Sequence, residues 1–282
     1  MADPSSQFAD ASTRAEAVSR RGVGQYRRTW TAGDPRANVL LLHGMAEHSG
    51  RYEHVGSTLA AAGFSVRAYD HHGYGRSGGK RGHVDSFDVF LEDVEDNLAD
   101  LRADGRPVVL MGHSMGALVA FNYALSGRPL PDVLLLSGPP LDASIPTWQR
   151  VVTPILGRIT PKLFVASEFD GELLSTDPDV GTVYIDDPLR VKGQTAGLGL
   201  ALLSGMKMAN EKLDRLSIPT MVVHGGDDAI VPAKFSVPIG EHPMGTRVEL
   251  PGLRHEVLNE PNWEETIQSL ITFVDGAIVE ID

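Results

Sequence analysis

A pentapeptide with the residue types and spacing for nucleophilic chemistry lies near the middle of the chain: Gly112-His113-Ser114-Met115-Gly116. It links an apolar run at 107–111 to a helical pattern ending at 125, so G-x-S-x-G stands in the strand-turn-helix setting that gives it meaning. Glycine is required at both flanks because a side chain would clash in so sharp a turn. The same turn pushes Ser114 out over the strand end, with its backbone near the positive end of the helix. A serine hydroxyl is a weak nucleophile at neutral pH, so it needs a base, and the base needs a carboxylate to orient it. Both are expected after the serine, in the order Ser, acid, His. Asp227 and Asp228 follow an apolar run at 220–224, and a carboxylate at the C-terminal end of a strand reaches the same rim as Ser114. Spacing leaves both aspartates open, the unused one being available to cap the following turn. His255 follows the run at 247–250 through Pro251-Gly252-Leu253-Arg254, whereas His242 precedes that run and stands at its wrong end. His255 is therefore the expected base. The oxyanion donors are expected to be the amide after the nucleophile, Met115, and that of Met45 in the loop after the run at 38–42.

These residues require a scaffold that brings positions 45, 114, 228 and 255 to one edge. Six short apolar runs, at 38–42, 64–69, 107–111, 133–136, 220–224 and 247–250, are too short for helices and too apolar for edge loops. They fit parallel strands covered on both faces. Helical patterns lie between them at 51–62, 87–103, 115–125 and 262–279. The alternation predicts an α/β domain with a mostly parallel sheet. From 141 to 213 the rhythm lapses over roughly 70 residues, too many for a connecting loop, which predicts an inserted cap. The remainder divides into a flexible tail at 1–24, a first core part at 25–140 and a second at 214–282. Within the insertion Trp148, Val151, Val152, Ile155, Leu156 and Ile159 form one apolar stripe at helical spacing, and Pro154 is expected to break or kink that helix. Such a stripe either packs on its own domain or meets a lipid surface.

Composition narrows the partners. The chain has 282 residues, 42% of them apolar, enough to bury a sizeable core. Lys and Arg number 25 against 37 Asp and Glu, a formal net charge of -12. That is the wrong sign for binding a phosphate backbone, so no nucleic acid is expected. Residues 1–36 hold six arginines and four acids, so the rest of the chain is more acidic than the whole. That acidic body is expected to disfavour anionic lipid. Cysteine is absent, which removes disulfides, thiolate metal sites and a Cys nucleophile. No His/Asp cluster stands at ligand spacing, so no metal and no cofactor is expected. Met1 to Arg28 is polar, and no apolar run approaches the roughly 20 residues that span a bilayer. The expectation is a cytoplasmic protein without a signal peptide, peripheral at membranes.

The run His43-Gly44-Met45-Ala46-Glu47-His48-Ser49-Gly50-Arg51-Tyr52, the segment Tyr69-Asp70-His71-His72-Gly73-Tyr74-Gly75-Arg76-Ser77-Gly78-Gly79-Lys80-Arg81-Gly82 and the elbow around Ser114 together resemble the monoacylglycerol lipases of the α/β-hydrolase superfamily. Ser175-Thr176-Asp177-Pro178, Asp187-Pro188-Leu189 and His255-Glu256-Val257-Leu258-Asn259-Glu260-Pro261 add to the likeness, which spans residues 25–278 and is strongest to the bacterial branch. The resemblance implies an α/β-hydrolase fold with Ser114 as nucleophile, Asp228 rather than Asp227 as acid, and His255 as base. It also implies Met45 and Met115 as oxyanion donors, 141–213 as a cap, and Glu47 and Arg51 near the glycerol end of the substrate. On the residues alone, Glu47 and Arg51 pair with each other equally well. The implied activity is cleavage of monoacylglycerols to glycerol and fatty acid through an acyl-enzyme. The alternatives are a broader carboxylesterase or lysophospholipase, and a non-catalytic ligand receptor. The implied partner is a monoacylglycerol or other small lipid ester, with transient lipid-surface contact through the cap. Some residues depart from the family pattern. Ala46 replaces the Gly usual before Glu47, Ala117 the Gly often following the elbow, and His72 and Tyr74 an Arg and a His; the first bears on the alcohol pocket. The glycine-rich segment 70–82 lacks the Lys-Ser/Thr pair of a phosphate loop and reads as a tight turn.

Overall fold

All six apolar runs become strands of one sheet, and full burial of four of them explains why those read so clearly. The computed structural model describes residues 14–143, 145–167 and 170–279. In chain order its first half contains β1 (Arg14–Arg20), β2 (Val23–Trp30), β3 (Ala37–Leu42), α1 (Glu53–Ala61), β4 (Phe64–Tyr69), α2 (Asp88–Arg102), β5 (Val108–His113), α3 (Met115–Ala124) and β6 (Val133–Ser137). There follow α4 (Thr147–Ile159), β7 (Phe164–Ala166), α5 (Pro178–Asp186), β8 (Gly193–Thr195), α6 (Ala196–Glu211), β9 (Thr220–Gly225), α7 (Val237–Gly240), β10 (Gly245–Leu250) and α8 (Trp263–Val279). The eight-stranded sheet has the order β1-β2-β4-β3-β5-β6-β9-β10. From β4 to β10 every pairing is parallel, and β2 pairs antiparallel with both β1 and β4. Every residue of β3, β5, β6 and β9 is buried. One core cluster, with Phe90, Leu98 and Phe121, lies against one face, and a second, with Val55, Ile267 and Ile271, against the other. Helix α3 is buried on all sides, as a helix between sheet and further helices must be.

The tail expected at 1–24 differs from the fold. Residues 1–13 lie outside the described residues, but β1 begins at Arg14 and joins the sheet edge. Its polarity serves an ionic seam: Arg20 pairs with Asp100, and Arg21 with Asp93 and Asp96 on α2. Charged residues suit an edge strand because they discourage further pairing.

The stretch between β6 and β9 holds α4 to α6 and the small antiparallel pair β7–β8. Of the break or kink expected at Pro154, the break does not occur: helix α4 runs through it. Packing on α6 overrides the local signal: a Cβ on Gly157 would lie 2.5 Å from the Leu200 Cβ, so the two helices meet backbone to side chain. The apolar stripe faces outward. Trp148 is 63% exposed, Ile155 50% and Ile159 73%, and Phe164 and Val165 of β7 continue the exposed surface. Among the described residues, no helix is long and apolar enough to cross a membrane.

Candidate active site

Strand order reverses between β3 and β5, whose C-terminal ends form the usual place for a site in an open α/β sheet, and the loops after β9 and β10 reach it along the same edge. Ser114 sits between β5 and α3 with φ 51° and ψ −119°, a left-handed conformation that a non-glycine residue adopts only under constraint. The flanking glycines permit it. A Cβ at Gly112 would lie 2.4 Å from the Gly116 carbonyl oxygen, and one at Gly116 would lie 2.3 Å from that of Leu42.

The structure brings Ser114, His255 and Asp228 into line. Ser114 Oγ is 2.9 Å from His255 Nε2, and His255 Nδ1 is 2.7 Å from Asp228 Oδ2. Asp228 is buried while Asp227 points to solvent. The cap expected of the unused aspartate is made by Asp228 itself, whose Oδ1 accepts the amides of Ile230 at 2.9 Å and Val231 at 2.8 Å. Burial pushes the Asp228 carboxyl up. Hydrogen bonds from His224 and His255, the charge of His255 and the Val231 amide outweigh that and hold it below the ordinary carboxylate range. The residue thus stays an acceptor for the Nδ1 proton, leaving Nε2 free to take one from serine.

His224 is a member the sequence reading missed. It lies in β9 with Nε2 3.2 Å from Asp228 Oδ2 and 2.8 Å from the Val231 carbonyl. The signal was a histidine four residues before the acid on the same strand end. His113 is likewise buried against His255, its ring 4.8 Å from that of His255. Burial, then the His255 charge, pushes its imidazole down to about 3, so it stays neutral.

The loop after β3 is set by His43. Its Nε2 accepts the His71 amide at 2.9 Å, so its Nδ1 must be the donor to the Gly44 carbonyl, 2.7 Å away. Burial pushes the His43 imidazole down to about 3, which keeps this single tautomer. With the carbonyl of the Gly44–Met45 peptide held on that side, the Met45 N–H is directed to the opposite one. The Met115 N–H, first in α3, has no intrahelical acceptor. The side chains of these two methionines differ: Met115 is buried in the core, while Met45 is 40% exposed and lines the pocket.

Glu47 lies in the pocket wall and Arg51 behind it, bound to the wall residues Glu47 and Glu256, and neither is free. Arg51 pairs with Glu47 and makes a bidentate pair with Glu256, at 2.6 and 2.7 Å. Glu47 also accepts from the Gly44 amide and, at 2.7 Å, from the Tyr52 hydroxyl. Burial raises Glu47, an effect that Arg51 offsets only in part and that the Glu256 charge reinforces. Burial acts on Glu256 too, but there Arg51 more than compensates and lowers it. Glu256 escaped notice because its partner is 205 positions away. The segment 70–82 is a structural turn: Asp70 accepts the amides of Ser49 at 2.8 Å and Arg76 at 2.7 Å.

Residues 33–262 match the family model described as Serine aminopeptidase, S33 (Hydrolase_4). The chain belongs to this family. Its members share the α/β-hydrolase fold described above. Within the family, the chain is 35% identical over 277 residues to a monoacylglycerol lipase of Mycolicibacterium smegmatis, covering 94% of this chain and 98% of that protein. It is 32% identical over 223 residues to human monoglyceride lipase, covering 75% and 72%. Among solved structures, the Paleococcus ferrophilus monoacylglycerol lipase superposes with a TM-score of 0.83 at 32% identity, over 90% of this chain and 99% of that one.

Proposed function

We propose that the protein is a serine hydrolase that cleaves monoacylglycerols to glycerol and a free fatty acid. His255 takes the proton of Ser114 as Oγ attacks the ester carbonyl, and the amides of Met45 and Met115 hold the developing oxyanion. His255 then protonates the departing glycerol oxygen. Water, activated by the same imidazole, attacks the acyl-enzyme and releases the acid. Asp228 holds the imidazole in the required tautomer and stabilises the imidazolium.

One observation carries the reading. The Ser114–His255 pair opens on a pocket whose lining includes Met45, Leu174, Val191 and Ile230 on the apolar side and Glu47, Tyr184 and Glu256 on the polar side. These are the two chemistries of a monoacylglycerol, and burial of its chain is worth about 0.8 kcal/mol per CH₂. The likeness to monoacylglycerol lipases, at 35% identity over most of both chains, supports the same substrate. The insertion at 141–213 acts as the cap, and its outward stripe makes transient contact with the lipid surface that supplies substrate. The test is to compare kcat/KM on a monoacylglycerol, the matching diacylglycerol and a simple ester. The monoacylglycerol is expected to be preferred, and Ser114→Ala to abolish turnover and fluorophosphonate labelling. A preference for the diacylglycerol, or retained activity in Ser114→Ala, would refute the reading.

A further inference from the structure

Glu47 and Glu256 mark the polar end of the pocket, yet their carboxylates are engaged by Arg51 behind them, and Glu47 also by Tyr52 and Gly44. Two other residues of the pocket lining each carry a polar atom that is not. Arg190 Nε and Gln194 Oε1 are both buried without a hydrogen-bond partner among the described residues. A buried donor and a buried acceptor left open cost stability unless something answers them. Both come from the insertion. The segment that carries Arg190 is tied to the site, since the Arg190 amide donates to the Asp187 carbonyl at 3.1 Å and the Val191 amide to that of Ala46 at 3.0 Å. Ala46 adjoins Met45, so Arg190 is held in fixed relation to the oxyanion loop.

We propose that Arg190 and Gln194 are the residues that select the alcohol, holding the free hydroxyls of the glycerol moiety, Arg190 as donor and Gln194 Oε1 as acceptor. A hydroxyl both donates and accepts, so one open donor and one open acceptor match a diol. Charge balance indicates a neutral polyol. Two carboxylates, Glu47 and Glu256, face the single guanidinium of Arg51. The guanidinium carbons of Arg51 and Arg190 both stand 5.0 Å from the Tyr184 ring centroid. Arg190 thus supplies the second cation at an end with two acids, and a phosphate added there would meet both carboxylates.

This inference rests on the monoacylglycerol reading above, and the experiment separates the two. Values of kcat/KM are measured for 1-oleoylglycerol, for the methyl ester of the same acid, and for 1-oleoylglycerol 3-phosphate. If the wild-type protein does not favour 1-oleoylglycerol over the methyl ester, the functional reading fails and the inference falls with it. If it does, Arg190→Met and Gln194→Leu should each lose about ten- to a hundredfold on 1-oleoylglycerol while the methyl ester changes less than about twofold. Equal losses on both esters, or no loss on either, overturn the inference with the functional reading intact. So does a wild-type preference for the phosphate-bearing substrate. Should Arg190→Met fail to fold, Gln194→Leu and the wild-type comparison decide.

Discussion

At the residue scale, the choice between two adjacent aspartates shows what a strand end dictates. Asp228 turns inward to His255 and the Val231 amide, and Asp227 turns to solvent. Asp228→Asn should therefore lower kcat by about 10⁴-fold through the wrong imidazole tautomer, and Asp227→Asn should leave it nearly unchanged. Steady-state kinetics on a soluble ester checks both, and the reverse ranking would move the acid to Asp227. His43 gives a second prediction of a different kind. It touches no reacting atom but holds the Gly44 carbonyl, so His43→Leu should cost roughly 10²-fold in kcat, the loss of one oxyanion donor, with KM little altered. Retained fluorophosphonate labelling, slowed in rate, would show that the fold and nucleophile persist; an unchanged labelling rate would exclude the positioning role. Ser114 and His255, the proposed nucleophile and base, were legible from spacing because an elbow and a strand end are local signals. The choice of acid was open until the family resemblance was added. Glu256 and Arg190 were not legible, because an ion pair spanning 205 positions and an open donor on an insertion leave no local pattern, whereas the signal of His224, four residues before Asp228, has meaning only once the acid is placed.

At the scale of elements, the clearest strands are β3, β5, β6 and β9, whose burial on both faces makes them apolar runs, while β4 and the edge strand β10, with no buried residue, were legible from their short apolar stretches between turns. Strands β1 and β2 were not, because an edge hairpin carries charge: Arg20, Arg21 and Arg27 all find acids on α2. The same seam holds a stability switch. Burial pushes the Asp93 carboxyl up to about 6, and Arg21 lowers it only in part. A carboxyl with a raised folded value favours the native state most while it is protonated. Its contribution is full below the unfolded value of about 3.9 and is lost as pH rises through about 6. The protein should thus lose stability between pH 4 and 6 on this account. Asp93→Asn should flatten that part of the profile and stabilise by roughly 1–3 kcal/mol at pH 7.5. Chemical denaturation at a series of pH values measures it. A variant less stable than wild type at pH 7.5 would mean that the Arg21 pair outweighs the burial of charge.

At the scale of the whole molecule, the net charge of -12 and the exposed stripe on α4 make opposite demands on a lipid surface. Net charge alone predicts repulsion from anionic lipid. The distribution of charge reverses that expectation. Residues 147–167 contain Arg150, Arg158 and Lys162 and no acid, and all three cations are exposed beside the apolar face. Screening decides between the two. At physiological ionic strength the Debye length is about 8 Å, so charges on the far side of the sheet are largely silent at the proposed lipid-facing stripe while those flanking it are not. Arg150 is partly offset by its pair with Asp142 at 2.9 Å, which leaves Arg158 and Lys162 as the main attractive charges. The protein should bind vesicles containing anionic lipid more tightly than neutral ones, by several-fold at about 0.15 M salt, with the difference vanishing at about 1 M. The apolar part should persist in high salt and fall about tenfold for each of Ile155→Ser and Ile159→Ser, while hydrolysis of a monomeric soluble ester stays the same. Co-sedimentation with vesicles of the two compositions measures both effects. Weaker binding to the anionic vesicles would mean that the acidic body governs the encounter after all, and unchanged binding in the two serine variants would remove α4 from the lipid-facing surface.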